Sequence, residues 1–200
     1  HADESEELYA LADVVHIACG GHAGDAASIA RVVEVCRRVG TRIGAHPSYV
    51  DRESFGRRAL EVDASDLTAQ LEAQCRLVPD ARSVKPHGAL YHAAHASPEV
   101  ANAVVTAVER SLGKVVIVGL GEGELEKAAR AAGHEYWREA FADRGVRDGK
   151  LIPRGEPGAL ITDPIAAADR ARTLMTTSIE TLCCHADTPS SLTIVRAVRE

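Results

Sequence analysis

Short apolar runs alternate with amphipathic segments along the chain. The runs lie at residues 14–18, 41–45, 82–84, 115–118, 135–141, 158–161 and 179–184. Their nearly unbroken hydrophobic character is typical of parallel strands that are buried on both faces. Between the first two runs, Ile29, Val32 and Cys36 recur at helical spacing before Gly40, which predicts a helix with a glycine stop. The alternation predicts an α/β fold of about seven strands.

Four of the apolar runs lead into a histidine beside a glycine or proline. These histidines are His22, His46, His87 and His185. Residues at the ends of many strands meet at one point when the sheet closes into a barrel. An open doubly wound sheet gathers only the few strands at its switch point. We therefore predict a parallel (β/α) barrel, organised as a single domain, with a shared polar centre.

Composition excludes several classes of function. The chain has 200 residues, a net charge of −6 and an isoelectric point near 5.9, which argues against nucleic acid as a partner. It has no run of about 18 apolar residues, so no membrane span is expected. The five cysteines are odd in number and form no CxxC pair, which is typical of reduced thiols in a cytoplasmic protein.

The segment Lys85-Pro86-His87-Gly88 carries the densest chemistry. A lysine at the end of a buried strand requires a carboxylate partner or an anionic ligand, because burying an unpaired charge is costly. A Lys–Asp bridge with a purely structural role is the alternative. His46 precedes Pro47, which forces it into an extended conformation at a strand end. Arg57 and Arg58, in the polar loop that follows, can pair with a carboxylate or phosphate.

Carboxylates accompany the other histidines. Glu139 and Asp143 share one face of a predicted strand, and Arg144 follows, an arrangement suited to general-base work or to binding a charged small molecule. Asp25 follows His22, and Asp187 follows His185, within three residues. Asp25 can also simply cap the helix that begins at Ala26. Three other histidines are expected to be solvated: His92, His95 and His134.

Other chemistries have weaker signals. The histidines and aspartates could hold zinc or another divalent ion, but the chain has no HExxH pairing, and the metal content stays open. A nucleophilic serine is disfavoured because no GxSxG elbow occurs. The sequence GLGEG at 119–123 resembles a dinucleotide turn but lacks the third glycine at the required spacing. It is a weak candidate for a phosphate loop.

Five motifs, in order along the chain, resemble the LamB/YcsF family of 5-oxoprolinase A subunits. They are IACGGHAGD, IGAHPSYVD with SFGRR, VKPHGALY, EAFADRG and CCHADTP. The resemblance implies a distorted (β/α) barrel similar to that of glycoside hydrolases and polysaccharide deacetylases. It also implies ATP-dependent, hydrolytic opening of 5-oxo-L-proline to L-glutamate together with B and C subunits. ATP, with Mg²⁺, would bind this chain or a partner subunit.

The resemblance also implies site residues. Those expected to be catalytic are His22, Lys85, His87, Asp143 and His185. Those expected to bind substrate are Asp25, His46, Arg57, Arg58, Arg144 and Asp187. The general base would be Asp143 or one of the histidines, and Lys85 with the arginines would neutralise anionic charge.

The chain departs from the family pattern at two places. The acidic first strand of the form DLNxDxGE has no match before Glu4, and Gly21 stands where family members have Phe. Two alternative functions remain: a metal-dependent, deacetylase-like carbohydrate hydrolase, and a non-catalytic subunit that binds a small acid, which the missing acidic strand favours.

Overall fold

The computed structural model describes residues 4–147 and 150–200. Internal contacts divide this part of the chain into two compact units. Unit 1 is Asp13–Trp137, and unit 2 combines residues 4–12 with Arg138–Glu200. The position of the missing DLNxDxGE match, ahead of Glu4, lies outside the described residues.

Helices and strands alternate as the apolar pattern predicts. The elements are α1 Glu6–Leu11, β1 Val14–Ala18, α2 Ala26–Val39, β2 Arg42–His46, α3 Ala64–Arg76, β3 Ser83–Val84, α4 Gly88–Ala96, α5 Pro98–Leu112, β4 Val116–Gly119, α6 Glu124–Ala131, β5 Tyr136–Phe141, β6 Val146–Arg147, β7 Lys150–Leu151, α7 Pro164–Leu174, β8 Thr181–Cys183 and α8 Ser191–Arg199. The capping signals of α5 are confirmed: the Ser97 hydroxyl accepts from Val100 N, and Pro98 occupies the first turn.

The main strands are parallel and follow chain order. In unit 1, β1 pairs with β2, β2 with β3 and β3 with β4. The boundary between the two units falls within β5, after Trp137. The second half of β5 pairs with β8. The strand order β1-β2-β3-β4-β5-β8 does not reverse. Sequential order is that of a (β/α) barrel, whereas a doubly wound sheet reverses at its switch point. The predicted fold class is confirmed.

Details of the pattern differ from the prediction. The main sheet has six strands in the described residues, with β6 and β7 forming a separate antiparallel pair. The apolar run at 158–161 forms only an isolated bridge, between Leu160 and Arg144. Helices α1 and α4 were not predicted, because α1 has only six residues and α4 begins at a glycine, Gly88. His134 is also not solvated: it is 5% exposed, and its Nδ1 lies 2.8 Å from the carbonyl oxygen of Val115.

Alternation along β1, β2 and β3 separates two faces in unit 1. Ile17, Ile43 and Val84 belong to the hydrophobic core that includes Leu71 of α3 and Val108 of α5. Successive side chains on a strand point to opposite faces, so the residues between these apolar positions lie on the other face. That face carries the polar residues of the candidate site. None of the helices in residues 4–147 and 150–200 is long and apolar enough to cross a membrane.

Candidate functional site

A row of polar side chains crosses the first three strands of unit 1. His16, Gly44 and Ser83 are opposite one another in the strand register, and His16 Nε2 lies 3.0 Å from Ser83 Oγ. A Cβ on Gly44 would lie 2.4 Å from His16 Cδ2 and 2.7 Å from Ser83 Oγ. Gly44 therefore leaves the space through which His16 reaches across β2. Along the chain, His46 lies two residues after Gly44, and Lys85 lies two residues after Ser83.

Three of the predicted histidines form one aromatic cluster with Phe55. The rings of His22 and His87 stack, with centroids 3.7 Å apart and planes 8° from parallel. His46 packs edge-on against both, at 5.6 Å from His22 and 4.8 Å from His87. The ring of Phe55 lies 5.1 Å from that of His22. The structure thus brings together three histidines that are far apart in the sequence.

Hydrogen bonds fix the orientation of two of these rings. His46 Nδ1 lies 2.6 Å from the carbonyl oxygen of Lys85. His87 Nε2 lies 2.9 Å from the carbonyl oxygen of Phe55. The remaining nitrogens, His46 Nε2 and His87 Nδ1, are 3.0 Å apart. Both rings are half-buried, whereas His22 is 4% exposed.

Lys85 makes the surroundings of the cluster cationic. Its side chain is buried, with 6% exposed. Burial lowers the pKa of His46 well below its usual value, and the charges of His87, Lys85, His22 and His16 lower it further. The pKa of His16 is lowered to about 3, mainly by burial and secondly by the charge of Lys85. His16 is therefore neutral at physiological pH.

The neutral state of His16 predicts that stability falls in acid. An unfolded histidine, with a pKa near 6.5, binds a proton below that pH, while folded His16 stays neutral down to about 3. Between these values, unfolding takes up a proton, and the free energy of unfolding should fall by about 1.4 kcal/mol per pH unit for this residue as pH decreases. Urea denaturation of wild type and His16→Asn between pH 7.5 and 5 measures the difference in slope.

The matched control for this prediction is His92→Asn, since His92 lies on the exposed side of α4. The slope of the unfolding free energy with pH should be shallower for His16→Asn than for His92→Asn and wild type. Equal slopes in all three proteins would contradict a neutral, desolvated His16.

The arginine-containing loop after β2 lies beside the cluster. Arg57 is exposed and lies over the ring of Phe55, with its Cζ 4.9 Å from the centroid. Arg58 Nη2 lies 3.6 Å from Asp51 Oδ1, and the Asp51 side chain is 2% exposed. Asp51 Oδ1 also accepts from Ser54 N, at 3.1 Å. The two arginines that were predicted to bind substrate thus lie at the exposed edge of unit 1.

Gly56 lets this loop approach the histidines closely. Its φ is +66°, and a Cβ there would lie 2.9 Å from His22 Cβ and 3.1 Å from His87 Cδ2. A side chain at this position would be strained in conformation and short of space. The loop backbone therefore forms one wall of the cluster.

Gly21, which departs from the motif that the resemblance implies, is tightly enclosed. A Cβ there would lie 2.4 Å from Gln74 Oε1 and 2.5 Å from Ser48 Oγ. Gln74, from α3, donates from Nε2 to Ser48 O at 2.8 Å and accepts from Ser48 N at 3.0 Å. This reciprocal pair holds the start of the loop and uses the space that a larger residue 21 would need.

In unit 2, a buried aspartate orients a histidine. The Asp143 carboxylate is fully buried and accepts from His185 N at 2.9 Å and from Thr188 Oγ1 at 2.5 Å. His185 Nδ1 lies 2.9 Å from Asp143 Oδ1, and the His185 ring stacks near Phe141. Burial alone would raise the pKa of Asp143, but the His185 and Thr188 hydrogen bonds lower it overall. Glu139 is also buried, on β5.

Arg144 and Asp187 have protein partners. Arg144 is 8% exposed and donates from Nε to Ala159 O at 3.0 Å and from Nη2 to Ile152 O at 2.6 Å. Asp187 forms a two-pronged ion pair with Arg154, at 3.1 and 3.2 Å. These contacts hold both side chains within unit 2, and their role in binding substrate stays a prediction.

The capping role of Asp25 is confirmed. Its Oδ1 accepts from Ser28 N at 2.8 Å, and Ser28 Oγ accepts from Asp25 N at 2.8 Å, which completes a capping box at the start of α2. Hydrogen bonds from Ser28 lower the pKa of the Asp25 carboxyl. The carboxylate is exposed, so its substrate role stays a prediction.

Several polar residues of these clusters were not singled out from the sequence. His16 sits inside the run VVHIA, and Thr188, Gln74 and Arg154 have no motif of their own. The one available signal was the alternation of side chains along a strand, which places His16 on the same face of β1 as the last residue of that strand. Among residues 4–147 and 150–200, no group of three or more His, Cys, Asp or Glu side chains is arranged to hold a metal ion.

Comparison with known proteins agrees with the motifs. A family model described as LamB/YcsF matches residues 2–200. The 5-oxoprolinase A subunit of Streptomyces avermitilis is 38% identical over 98% of this chain and 87% of that protein. The corresponding A subunit of Limosilactobacillus fermentum is 34% identical over 98% of this chain and 86% of that protein.

A solved structure supports the same assignment. The crystal structure of the lactam utilization protein from Thermus thermophilus is 33% identical, with a TM-score of 0.84 over 96% of this chain and 86% of that one. Motifs, fold and relatives therefore agree that the chain belongs to the LamB/YcsF family.

Proposed function

We propose that this chain is the A subunit of an ATP-dependent 5-oxoprolinase that opens 5-oxo-L-proline to L-glutamate together with B and C subunits. The observation that carries the proposal is the name that the relatives share, the A subunit of 5-oxoprolinase, at 34% and 38% identity over 98% of this chain. The solved relative is likewise named for lactam utilization. Within unit 1 the cluster around Lys85 can bind an anion, and within unit 2 the histidine–aspartate pair can accept a proton.

The reaction needs activation because a lactam is a poor electrophile. In the proposed course, the lactam oxygen takes the γ-phosphoryl group of ATP and ADP leaves. Water then bonds to the ring carbonyl carbon, the carbon–nitrogen bond breaks, and the nitrogen takes a proton to form the amine. A second water releases phosphate from the resulting acyl phosphate. The balance is 5-oxo-L-proline, ATP and two waters to L-glutamate, ADP and phosphate.

His185 is the best-placed general base in unit 2. Because a carboxylate only accepts, the His185 Nδ1 that lies 2.9 Å from Asp143 carries the proton. Its Nε2 is then the basic nitrogen. Asp143 is fully buried and held by three donors, so we assign it to orienting His185 and not to removing the proton itself. His185 accepts the proton of the attacking water.

The cluster in unit 1 suits an oxyanion. Lys85 supplies a buried positive charge, and His22 is the potential donor of the cluster. The ring nitrogens of His46 and His87 already face Lys85 O, Phe55 O and each other. A charged donor in a partly dry environment binds a carboxylate or phosphoryl group more strongly than it would in water. We assign this cluster to the carboxylate of 5-oxo-L-proline or to the transferred phosphoryl group.

The turn at 119–123 is a poor site for ATP phosphates. It leads into α6, whose first turn contains Glu124 and Glu126. Glu126 Oε2 already accepts from Glu122 N, at 2.8 Å. Negative side chains at this helix start repel phosphate. We therefore propose that the nucleotide, with its Mg²⁺, binds a partner subunit.

Reconstitution tests the proposal. The full chain is mixed with B and C subunits, and glutamate release from 5-oxo-L-proline is measured with and without ATP. We expect turnover only with ATP and all three subunits. Binding of 5-oxo-L-proline without turnover in this complex would support the non-catalytic alternative. Turnover that occurs without ATP, and that a chelator abolishes, would support the metal-dependent hydrolase.

A further inference from the structure

The turn after β8 holds Thr188 in a defined position. Thr188 N donates to His185 O at 3.2 Å, and Thr188 O accepts from Ser191 N at 3.1 Å. Pro189 follows and disfavours a helical backbone at Thr188. The threonine side chain is branched at Cβ, which restricts its rotamers, and the residue is 3% exposed. Its hydroxyl group therefore has a fixed direction.

That hydroxyl group is directed at the Asp143 carboxylate. Asp143 Oδ2 accepts from Thr188 Oγ1 at 2.5 Å and from His185 N at 2.9 Å. The hydrogen bonds of His185 and Thr188 lower the pKa of Asp143, so the carboxyl group is ionised at neutral pH and the hydroxyl is the donor. A distance of 2.5 Å lies in the range of hydrogen bonds from a hydroxyl to a carboxylate.

The same carboxylate orients the imidazole of His185. His185 Nδ1 lies 2.9 Å from Asp143 Oδ1 and 3.1 Å from Oδ2. The torsion that turns a carboxylate about its own axis is broad and has no sharp minimum. Two donors on Oδ2 remove this freedom, because rotation would break both hydrogen bonds. Oδ1 is then held facing the ring of His185.

We propose that Thr188 is a positioning residue, whose hydroxyl group fixes the Asp143 carboxylate and thereby sets both the direction and the basicity of His185. A donor on a carboxylate takes up part of its negative charge. Without the hydroxyl group, more of that charge acts on His185, and the protonated imidazole becomes more stable. His185 would then stay protonated up to a higher pH. This effect follows from the geometry, and only its link to turnover rests on the proposed function.

Other charged or titratable side chains on the adjoining elements can influence the same titration. Arg154 and Asp187 pair with each other, and Arg170 of α7 donates from Nε to Phe141 O at 2.9 Å. The full set to keep constant is Glu139, Arg144, Arg154, Arg170, Cys183, Cys184 and Asp187. The variants below retain all of them, so a difference in titration comes from the hydroxyl group.

NMR of the full chain with ¹⁵N-labelled histidine measures the titration of His185 without any turnover. His185→Gln identifies its signals. Thr188→Val replaces the hydroxyl group with a methyl group, and the midpoint of the His185 titration should rise by about 0.5 to 1 pH unit. Thr188→Ser keeps a hydroxyl group and should titrate close to wild type. The matched control is Thr193→Val, which removes an exposed hydroxyl group that donates to Ser190 O.

A measurement on wild type decides the matter if Thr188→Val does not fold. A hydroxyl proton that is held by a buried carboxylate is protected from exchange with water. The Thr188 hydroxyl proton should therefore give a resolved resonance at low temperature. It should also show a nuclear Overhauser effect to the backbone N–H of His185, which donates to the same oxygen. Absence of this resonance would overturn the proposal.

Kinetics of the complex with B and C subunits connect the titration to turnover. In Thr188→Val, the acid limb of the kcat profile should move to higher pH by the same amount as the NMR titration. The plateau of kcat should fall, and the KM for 5-oxo-L-proline should change little. Thr188→Ser should restore the wild-type profile, and Thr193→Val should not alter it.

The outcomes separate this role from the proposed function. A raised NMR midpoint without turnover in any complex supports the effect of Thr188 on His185 and counts against the proposed function. Turnover with an unchanged NMR midpoint in Thr188→Val overturns the role of Thr188 and leaves the proposed function standing. A loss of stability alone, with midpoint and acid limb unchanged, also overturns it, because a purely structural residue would behave in that way.

Discussion

Replacing His185 with glutamine is expected to lower kcat for glutamate release about 10²- to 10⁴-fold, the usual contribution of a general base. The KM for 5-oxo-L-proline should change little, because the proposed role of His185 is proton transfer and not binding. Asp143→Asn should reproduce much of the loss, since an amide can present an N–H to His185 Nδ1 and so favour the wrong tautomer. Steady-state kinetics of the reconstituted complex measure both effects.

The pH profile distinguishes a base from a structural residue. Wild type should lose kcat on the acid side as the base becomes protonated, and His185→Gln should lack that limb. His92→Gln, which changes an exposed histidine on α4, is the matched control and should behave as wild type. A His185→Gln enzyme with full kcat, or with an unchanged acid limb, would contradict the assignment.

Replacing Lys85 with methionine should weaken binding of 5-oxo-L-proline. A hydrogen bond to a charged group contributes about 1.5–3 kcal/mol, so kcat/KM for 5-oxo-L-proline should fall about 10- to 150-fold. Methionine has a similar volume and no charge to bury. The free energy of unfolding is measured alongside, because breaking a buried ion pair of Lys85 would lower it by about 3–5 kcal/mol.

The combination of these two results is the test for Lys85. Lys127→Met removes a lysine of α6 that is 67% exposed and pairs with Glu124, and it should change neither kcat/KM nor stability appreciably. A marked loss of stability in Lys85→Met with unchanged kcat/KM would show instead that Lys85 belongs to a structural ion pair, the alternative raised from the sequence.

Local patterns predicted the fold class and the residue types of the site. Unbroken apolar runs and helix caps, such as Ser97 with Pro98, depend on residues close in sequence, and the structure has them where expected. The run at 158–161 has the same local character, yet forms only a bridge to Arg144. Strand formation requires a partner at the right distance, and a single run does not contain that information.

The details of the site depend on contacts between distant residues. The sequence places His185 and Asp143 at strand ends. The three hydrogen-bond donors to the Asp143 carboxylate are visible only in the folded chain. In the sequence, His16 is one polar residue in an apolar strand. Its hydrogen bond with Ser83 depends on the space at Gly44. The two carbonyl partners of Arg144 likewise carry no signal in the sequence.

The enclosure of Gly21 has a consequence for how the chain can change by mutation. Phe at this position, the residue that the motif resemblance implies, would collide with Gln74 and Ser48. Gly21→Phe alone is therefore expected to be harmful, and Gln74→Ala removes only one of the two obstacles, since Ser48 Oγ would still lie 2.5 Å from the added Cβ. The three positions are therefore expected to show epistasis: the order of substitution decides whether an intermediate folds. Position 21 is held at glycine until both of these neighbours change first.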